Sequence, residues 1–295
     1  MDAVFDDEEQ QRAREDAVTE QVVASFETST DPRYEQVMSS LVRHLHGFIR
    51  DVRLTPGEWD AAIAFLTRAG QITDENRQEF ILLSDVLGAS MMTVGVNSPP
   101  RSDATESTVF GPFFVHNAPL IGLGDDIGEG MAGRPCYVHG RVTGTDGSGL
   151  AGARVEVWAA DEAGFYDVQY EGHALAGRAH MFTDENGRFD FWTVQPAAYP
   201  IPYDGPVGDL LRAAERSPMR PAHIHFMVVA EGYVTLITHI FVAGDQYLDS
   251  DAVFGVKPSL ITEFIEHEPG EAPRGHVVDS TWSEAVFDIV LAPER

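Results

Sequence analysis

The stretch GRVTGTDGSGLAGARVEVW, residues 140–158, decides the fold. Two β-rich runs flank Asp146-Gly147-Ser148-Gly149, residue types that supply the geometry of a tight turn. The second run alternates Val155 and Val157 with Glu156 and Trp158, the period of a strand with one face buried. A β-hairpin is therefore predicted here. Related runs recur on both sides of it: CYVHGRVTG, GRFDFWTV, HIHFMVVA, YVTLITHIFV and SEAVFDIVL. Asp184-Glu185-Asn186-Gly187 marks a further turn among them. Short strands punctuated this regularly predict an antiparallel β-sandwich over residues 101–295.

Upstream the texture is helical. Asp31-Pro32 predicts an N-cap followed by proline at the first helical position. Val37, Leu41, Leu45, Phe48 and Val52 then recur at three- and four-residue steps and form an apolar stripe. Thr55-Pro56-Gly57-Glu58 reads as a capping box, with Trp59, Ile63 and Leu66 behind it and Gly70 closing the helix. A third helix is predicted from near Thr73, carrying Phe80, Leu83, Val86 and Leu87, and a short acidic helix over residues 2–20. The expected class is α+β, with a helical domain over residues 1–100. These stripes are too apolar for a freestanding tail; they pack on the rest of the chain, on a second copy, or on both.

At 295 residues the chain is long enough to bury a substantial core. A net charge of −27 argues against nucleic acid or an anionic membrane surface as a partner. Cys136 is the single cysteine, so neither an intrachain disulfide nor a thiolate metal cage is available. No apolar run approaches the ~20 residues of a membrane span, and MDAVFDDEEQQRARED is a polar, charged start. The expected location is the cytoplasm.

The chemistry concentrates in Arg220-Pro221-Ala222-His223-Ile224-His225-Phe226. On a strand His223 and His225 point to the same face, a geometry suited to sharing one metal ion. The bland alternative is two histidines on the solvated face of an edge strand. Two tyrosines upstream weigh against it. Tyr166 follows a strand in WAADEAGFYDVQY, and Tyr199 sits in PAAYPIPYDGPVG, where Pro200 and Pro202 stiffen the backbone. Taken singly, either tyrosine reads as a packing residue. Taken together, two phenolate oxygens and two imidazoles make a hard, mixed donor set that favours Fe(III) over softer divalent ions.

With these motifs in hand the chain resembles the intradiol ring-cleavage dioxygenases, non-haem ferric enzymes that open catechols between the two hydroxylated carbons. The resemblance rests on GARVEVWAADEAGFYD, TDENGRFDFWTVQPAAYPIPYDGPVGDLL, RPAHIHF and GYVTLITHIF, in that order and spacing. Within the family, LLSDVLGAS, ATESTVFGPFFV and YLDSDAVFGVKPSL are most similar to the branch acting on hydroxyquinol, 1,2,4-trihydroxybenzene. The resemblance implies one Fe(III) per subunit, held by Tyr166, Tyr199, His223 and His225. It implies that Tyr199 is displaced when substrate binds and takes up a proton, and that Arg220 stabilises charge developing on the ring. Leu82, Asp85, Val109, Phe110 and Gly111 would line the substrate pocket, with Pro112, Phe113, Ile201, Pro202 and Val253. His239 stands where the catechol enzymes generally have glutamine, which leaves its role open. The partners implied are a small aromatic diol or triol and O2, a second copy through the N-terminal helices, and a lipid between those helices.

Three other readings stay open. Catechol or a chlorocatechol could replace hydroxyquinol as substrate. A cupin-type site, with Glu231 after His223 and His225, would bind a nearly colourless divalent metal. A metal-free sandwich would be a carbohydrate- or carrier-binding module.

Overall fold

A computed structural model of the chain describes residues 2–74, 77–98, 103–170 and 176–294. Contacts divide it into two compact units, up to residue 67 and from residue 68 onward.

The first unit holds α1 (Asp2–Ala24), α2 (Pro32–Asp51) and most of α3 (Pro56–Ile72). Asp31 caps α2, its carboxylate accepting the N–H groups of Arg33 and Tyr34. The Thr55–Glu58 box closes as expected, with the Thr55 N–H 2.8 Å from Glu58 Oε2. Between α1 and α2, Thr19 Oγ1 lies 3.0 Å from His46 Nδ1, and Arg43 pairs with Glu20. Val37, Leu41, Leu45, Phe48 and Val52 remain about half exposed in the single chain.

Three helix boundaries differ from the sequence prediction. Gly70 does not end α3, which continues through it to Ile72. The glycine interrupts no backbone bond, and the Phe80 ring lies 3.9 Å from where a β-carbon would stand. The next helix, α4 (Glu79–Val86), starts six residues after Thr73, and Gly88 at φ 72° separates it from α5 (Ala89–Asn97). The acidic N-terminal helix is also longer than predicted, reaching Ala24.

The second unit is a sandwich. Its first strands are β1 (Pro135–Gly144), β2 (Arg154–Ala159), β3 (Arg178–Phe182) and β4 (Arg188–Val194). Next come β5 (Tyr199–Pro200), helix α6 (Pro206–Ala213), β6 (Met219–Arg220), β7 (His223–Val229) and β8 (Leu236–Val242). The chain finishes with β9 (Ile261–Thr262), β10 (Phe264–His267), β11 (Gly270–Glu271), β12 (Val277–Val278), β13 (Trp282–Val286) and β14 (Ile289–Leu291). One sheet runs β10-β13-β1-β14, with β4 on the other edge of β1; the second runs β3-β2-β7-β8-β9. Most neighbours are antiparallel; β1 pairs parallel with β13 and β14, as does β8 with β9.

The predicted hairpin over residues 140–158 is not one, because β1 and β2 belong to different sheets. Its turn forms: Thr143 bridges Gly149, and the Leu150 N–H bonds the Val142 carbonyl at 2.9 Å. Beyond it Gly152 takes φ 68° and the chain crosses the sandwich. Val142 enters the core from one sheet, Val155 and Val157 from the other. Strand alternation is the same whether two strands lie side by side or face each other across a core, so the period could not separate the two.

Between the sheets, the Phe226 ring meets those of Phe189, Phe191 and Phe287 at 6.1, 6.4 and 5.3 Å. Ile224, Phe226 and Val228 of β7 all join this core. His223 and His225 consequently face the opposite side of the second sheet. There Trp158, Tyr166 and Tyr199 are buried against Phe113 and Phe114. Helices α4 and α6 pack together on this unit, where buried Glu79 accepts the Val207 N–H (2.9 Å) in the first turn of α6. Among the described residues no single helix is long and apolar enough to cross a membrane.

Candidate metal centre

Strand register sets a row across three strands: Trp158 of β2 lies opposite His225 of β7, and His225 opposite His239 of β8. The Trp158 and His225 rings stack at 4.6 Å and 16°. Tyr166 enters from the loop after β2. Its N–H bonds Gln169 Oε1 at 2.8 Å, and its ring stacks on Phe113 at 4.5 Å. The next residue, Asp167, pairs with buried Arg178, which also donates to the Phe113 carbonyl. Tyr199 opens β5, whose ladder with β6 sets it directly opposite Arg220. Gly164, at φ 82°, passes under Tyr199; a β-carbon there would stand 2.5 Å from Tyr199 Cβ. Only glycine fits that crossing.

Four atoms close a ring. Tyr166 Oη lies 3.2 Å from Tyr199 Oη, which lies 3.5 Å from His223 Nε2. His223 Nε2 lies 3.2 Å from His225 Nε2, which returns to Tyr166 Oη at 3.0 Å. Donor atoms bonded at about 2.0–2.1 Å to one centre stand roughly 2.8–3.4 Å apart at angles between roughly 90° and 109°. The structure thus brings the four side chains named from the sequence together around one point.

His239 was left without a role by the sequence, and it joins the group: His223, His225 and His239 form a buried cluster able to coordinate a metal ion. Its nitrogens are committed elsewhere, however. Nε2 lies 2.7 Å from His225 Nδ1, and Nδ1 lies 2.9 Å from Thr108 Oγ1. His223 Nδ1 is 2.7 Å from the Pro221 carbonyl, to which it donates, so the Nε2 lone pair faces the ring and the Arg220 guanidinium.

Burial pushes His223 down to about 3, with Arg220 adding to the shift. It also takes His225 and His239 well below the usual imidazole range. These rings are therefore neutral, with lone pairs available. Burial acts oppositely on the phenols: Tyr166 is held well above its ordinary value, and Tyr199 is raised against the pull of Arg220. Both stay protonated until a strong positive charge arrives.

Arg220 Nη1 lies 3.1 Å from His223 Nε2, and its Nε donates to Asp251 Oδ1 at 3.0 Å. Burial alone would raise the Asp251 carboxyl, but the guanidinium overrides it and the net shift is downward. Asp251 also accepts the N–H groups of Val253 and Gly255, which makes it a rigid anchor. The sequence reading missed Asp251, Thr108 and the stacking role of Trp158. In YLDSDAVFG nothing local separates Asp251 from the exposed Asp249.

Beside the ring lies a small, narrow cavity. Leu82, Asp85, Val109, Gly111, Pro112 and Phe113 line it, together with Tyr199, Ile201, Pro202, Arg220 and Val253. Phe110, predicted to join them, instead packs on Phe114 (4.5 Å) and Trp158 (5.8 Å). Asp85 is the buried carboxyl of this cavity; burial raises it above its usual range, with Ser90 and Arg220 opposing.

Residues 109–293 match a family model described as Dioxygenase, and residues 31–105 one described as Catechol dioxygenase N terminus. A hydroxyquinol 1,2-dioxygenase of Rhodococcus opacus is 58% identical over 290 residues, covering 97% of each chain. A 6-chlorohydroxyquinol 1,2-dioxygenase of Cupriavidus pinatubonensis is 56% identical over 86% of this chain and 92% of that protein. Among solved structures, the hydroxyquinol 1,2-dioxygenase of Pseudomonas putida DLL-E4 superposes with a TM-score of 0.89 at 44% identity, covering 96% of this chain and 100% of that one.

Proposed function

The chain belongs to the intradiol ring-cleavage dioxygenase family, and on that premise we propose that it cleaves hydroxyquinol between its two adjacent hydroxylated carbons, using O2. The product is 3-hydroxy-cis,cis-muconate, which tautomerises to maleylacetate. The observation that carries this reading is the closed ring of two phenolic oxygens and two imidazole nitrogens beside a cavity containing a buried carboxyl.

The group that fits is one Fe(III) per chain, with Tyr166, Tyr199, His223 and His225 as ligands. Two hard, anionic phenolates favour the ferric ion, and neutral imidazoles complete the set. When bound, it would supply a Lewis acid that draws electron density from the substrate diol. The chain's own residues do the rest. Tyr199 Oη receives one proton from a substrate hydroxyl, so a ligand doubles as general base. Arg220, held by Asp251, places its guanidinium where the ring oxygens gain negative charge. Asp85 hydrogen-bonds the third hydroxyl; it would be a poor neighbour for chlorine on a chlorocatechol.

For the segment up to residue 100 we propose pairing with a second copy, the half-exposed stripe of α2 together with Trp59, Ile63 and Leu66 being the surface buried, and a lipid chain as a further occupant of that apolar surface. The sandwich over residues 101–295 is the proposed catalytic domain.

An oxygen electrode tests the substrate. Hydroxyquinol should consume one O2 per ring and exceed catechol in kcat/KM by about tenfold or more, a margin that Asp85→Asn should shrink to near unity. Equal or better turnover of catechol by the unaltered enzyme would overturn the assignment in favour of a catechol 1,2-dioxygenase. A colourless protein carrying only a divalent metal, or a metal-free protein without oxygen uptake, would overturn the ferric site.

A further inference from the structure

A histidine ring has one proton when neutral, and only the nitrogen without it can ligate. For His225 Nε2 to face the ring of donor atoms, its proton must sit on Nδ1. That nitrogen lies 2.7 Å from His239 Nε2, which must then accept. A neutral His239 that accepts at Nε2 carries its proton on Nδ1, 2.9 Å from Thr108 Oγ1. The hydroxyl can accept there and turn its own proton toward the Val109 carbonyl, 3.4 Å away. This assignment of protons satisfies every donor along His225, His239 and Thr108; the reversed one would too, with the Thr108 hydroxyl donating to His239 Nδ1, but only the first leaves His225 Nε2 without a proton.

The opposite assignment spoils the site. A proton on His239 Nε2 would be donated to His225 Nδ1, and the single proton of His225 would move to Nε2. There it would point at Tyr166 Oη, 3.0 Å off, and occupy the position a metal needs. Trp158 stacking and the close approach of Gly111, whose β-carbon would stand 3.0 Å from His225 Cε1, fix the plane of this ring. Neither chooses which nitrogen carries the proton. All three members are buried, so water cannot stand in for a missing partner.

We propose that Thr108 and His239 are positioning residues that hold His225 in its Nδ1–H form and so present Nε2 to the metal, His239 itself being no ligand. This deepens the proposed iron site and rests on it. It also settles the three-histidine cluster: both His239 nitrogens are engaged, one of them by the back of a ligand.

Four variants and two readouts test it. Ferric iron affinity by chelator competition, followed through the visible tyrosinate-to-iron band, should fall ten- to a hundredfold in His239→Leu. It should fall in the same direction, by less, in Thr108→Val. His239→Gln should stay within about threefold, because a carboxamide accepts through oxygen and donates through nitrogen with the same polarity. Thr108→Ser should behave as the unaltered protein. Undiminished affinity in both His239→Leu and Thr108→Val would overturn the proposal. So would a loss in His239→Gln equal to that in His239→Leu, which would mark His239 as a ligand. The second readout needs no iron. Nitrogen-15 histidine NMR of the metal-free protein should show His225 losing its Nδ1–H population in Thr108→Val and keeping it in Thr108→Ser; no change between them rejects the inference. If the unaltered protein takes up no ferric iron, the proposed function fails while this NMR comparison still decides the tautomer.

Discussion

On one face of β7, Ile224, Phe226 and Val228 pack among aromatic and aliphatic side chains between the sheets; on the other, His223 and His225 meet two phenols, a guanidinium and a third imidazole. Burial does not tell the faces apart, since all five residues are removed from water to the same degree. What differs is the partner. Apolar groups gain free energy on leaving water, whereas polar groups lose it unless each finds a hydrogen bond or a metal. The core face stabilises the sandwich, and the site face draws on that stability to hold groups in an arrangement that solvent would disperse.

The comparison breaks if substitutions on the two faces have the same consequence. The largest expected effect is on the site face: Tyr166→Phe or His223→Ala should lower bound iron and cut turnover on the order of 10³-fold or more. The metal-free form of Tyr166→Phe, which keeps the ring and removes only a buried hydroxyl, should melt within about 1 kcal/mol of the metal-free parent. Iron per chain, oxygen uptake and thermal melts together check this. On the core face, Phe226→Ala should destabilise by about 3–5 kcal/mol while leaving turnover per folded molecule within roughly twofold. Urea denaturation with activity measured below the transition reads both numbers.

Next in size is Arg220→Ala. A preorganised charge that acts as the ring oxygens become anionic should cost about 10²-fold in kcat, with a smaller rise in KM. A change in KM alone would move Arg220 from transition-state stabilisation to substrate binding.

The smallest effect concerns pH and the metal-free protein. His223 has a folded value near 3 against 6.5 in the unfolded chain, so between these values the unfolded state binds the extra proton. Its contribution is complete above pH 6.5 and is lost as pH falls through that window, at about 1.4 kcal/mol per pH unit for the proton taken up. The parent should therefore lose stability on acidification more steeply than His223→Gln; parallel curves would contradict the neutral, buried imidazole.

The legibility of this protein followed chain distance. His223 and His225 are two residues apart on a strand, so their shared face could be read directly from period. The caps at Asp31 and Thr55 were equally plain, because an N-cap is satisfied within three residues. Gly70 misled, since a glycine near a helix end resembles a terminator even when the backbone continues through it. Thr108 and His239 meet across 131 positions, and Arg220 and Asp251 across 31, with no local pattern announcing either pair. Phe110 sits within a run of pocket residues yet turns toward Phe114 and Trp158 instead.

The sequence by itself determined the strand periods, the helix starts, and the identity of the four side chains that could ligate one ion. Only the tertiary structure decided that β1 and β2 face each other across a core, that the four donor atoms close a ring, and that His239 backs His225. Alternation and capping are properties of a short segment's own backbone. Sheet partnership and hydrogen-bond direction belong to pairs of segments, and a period that suits several partners cannot name one.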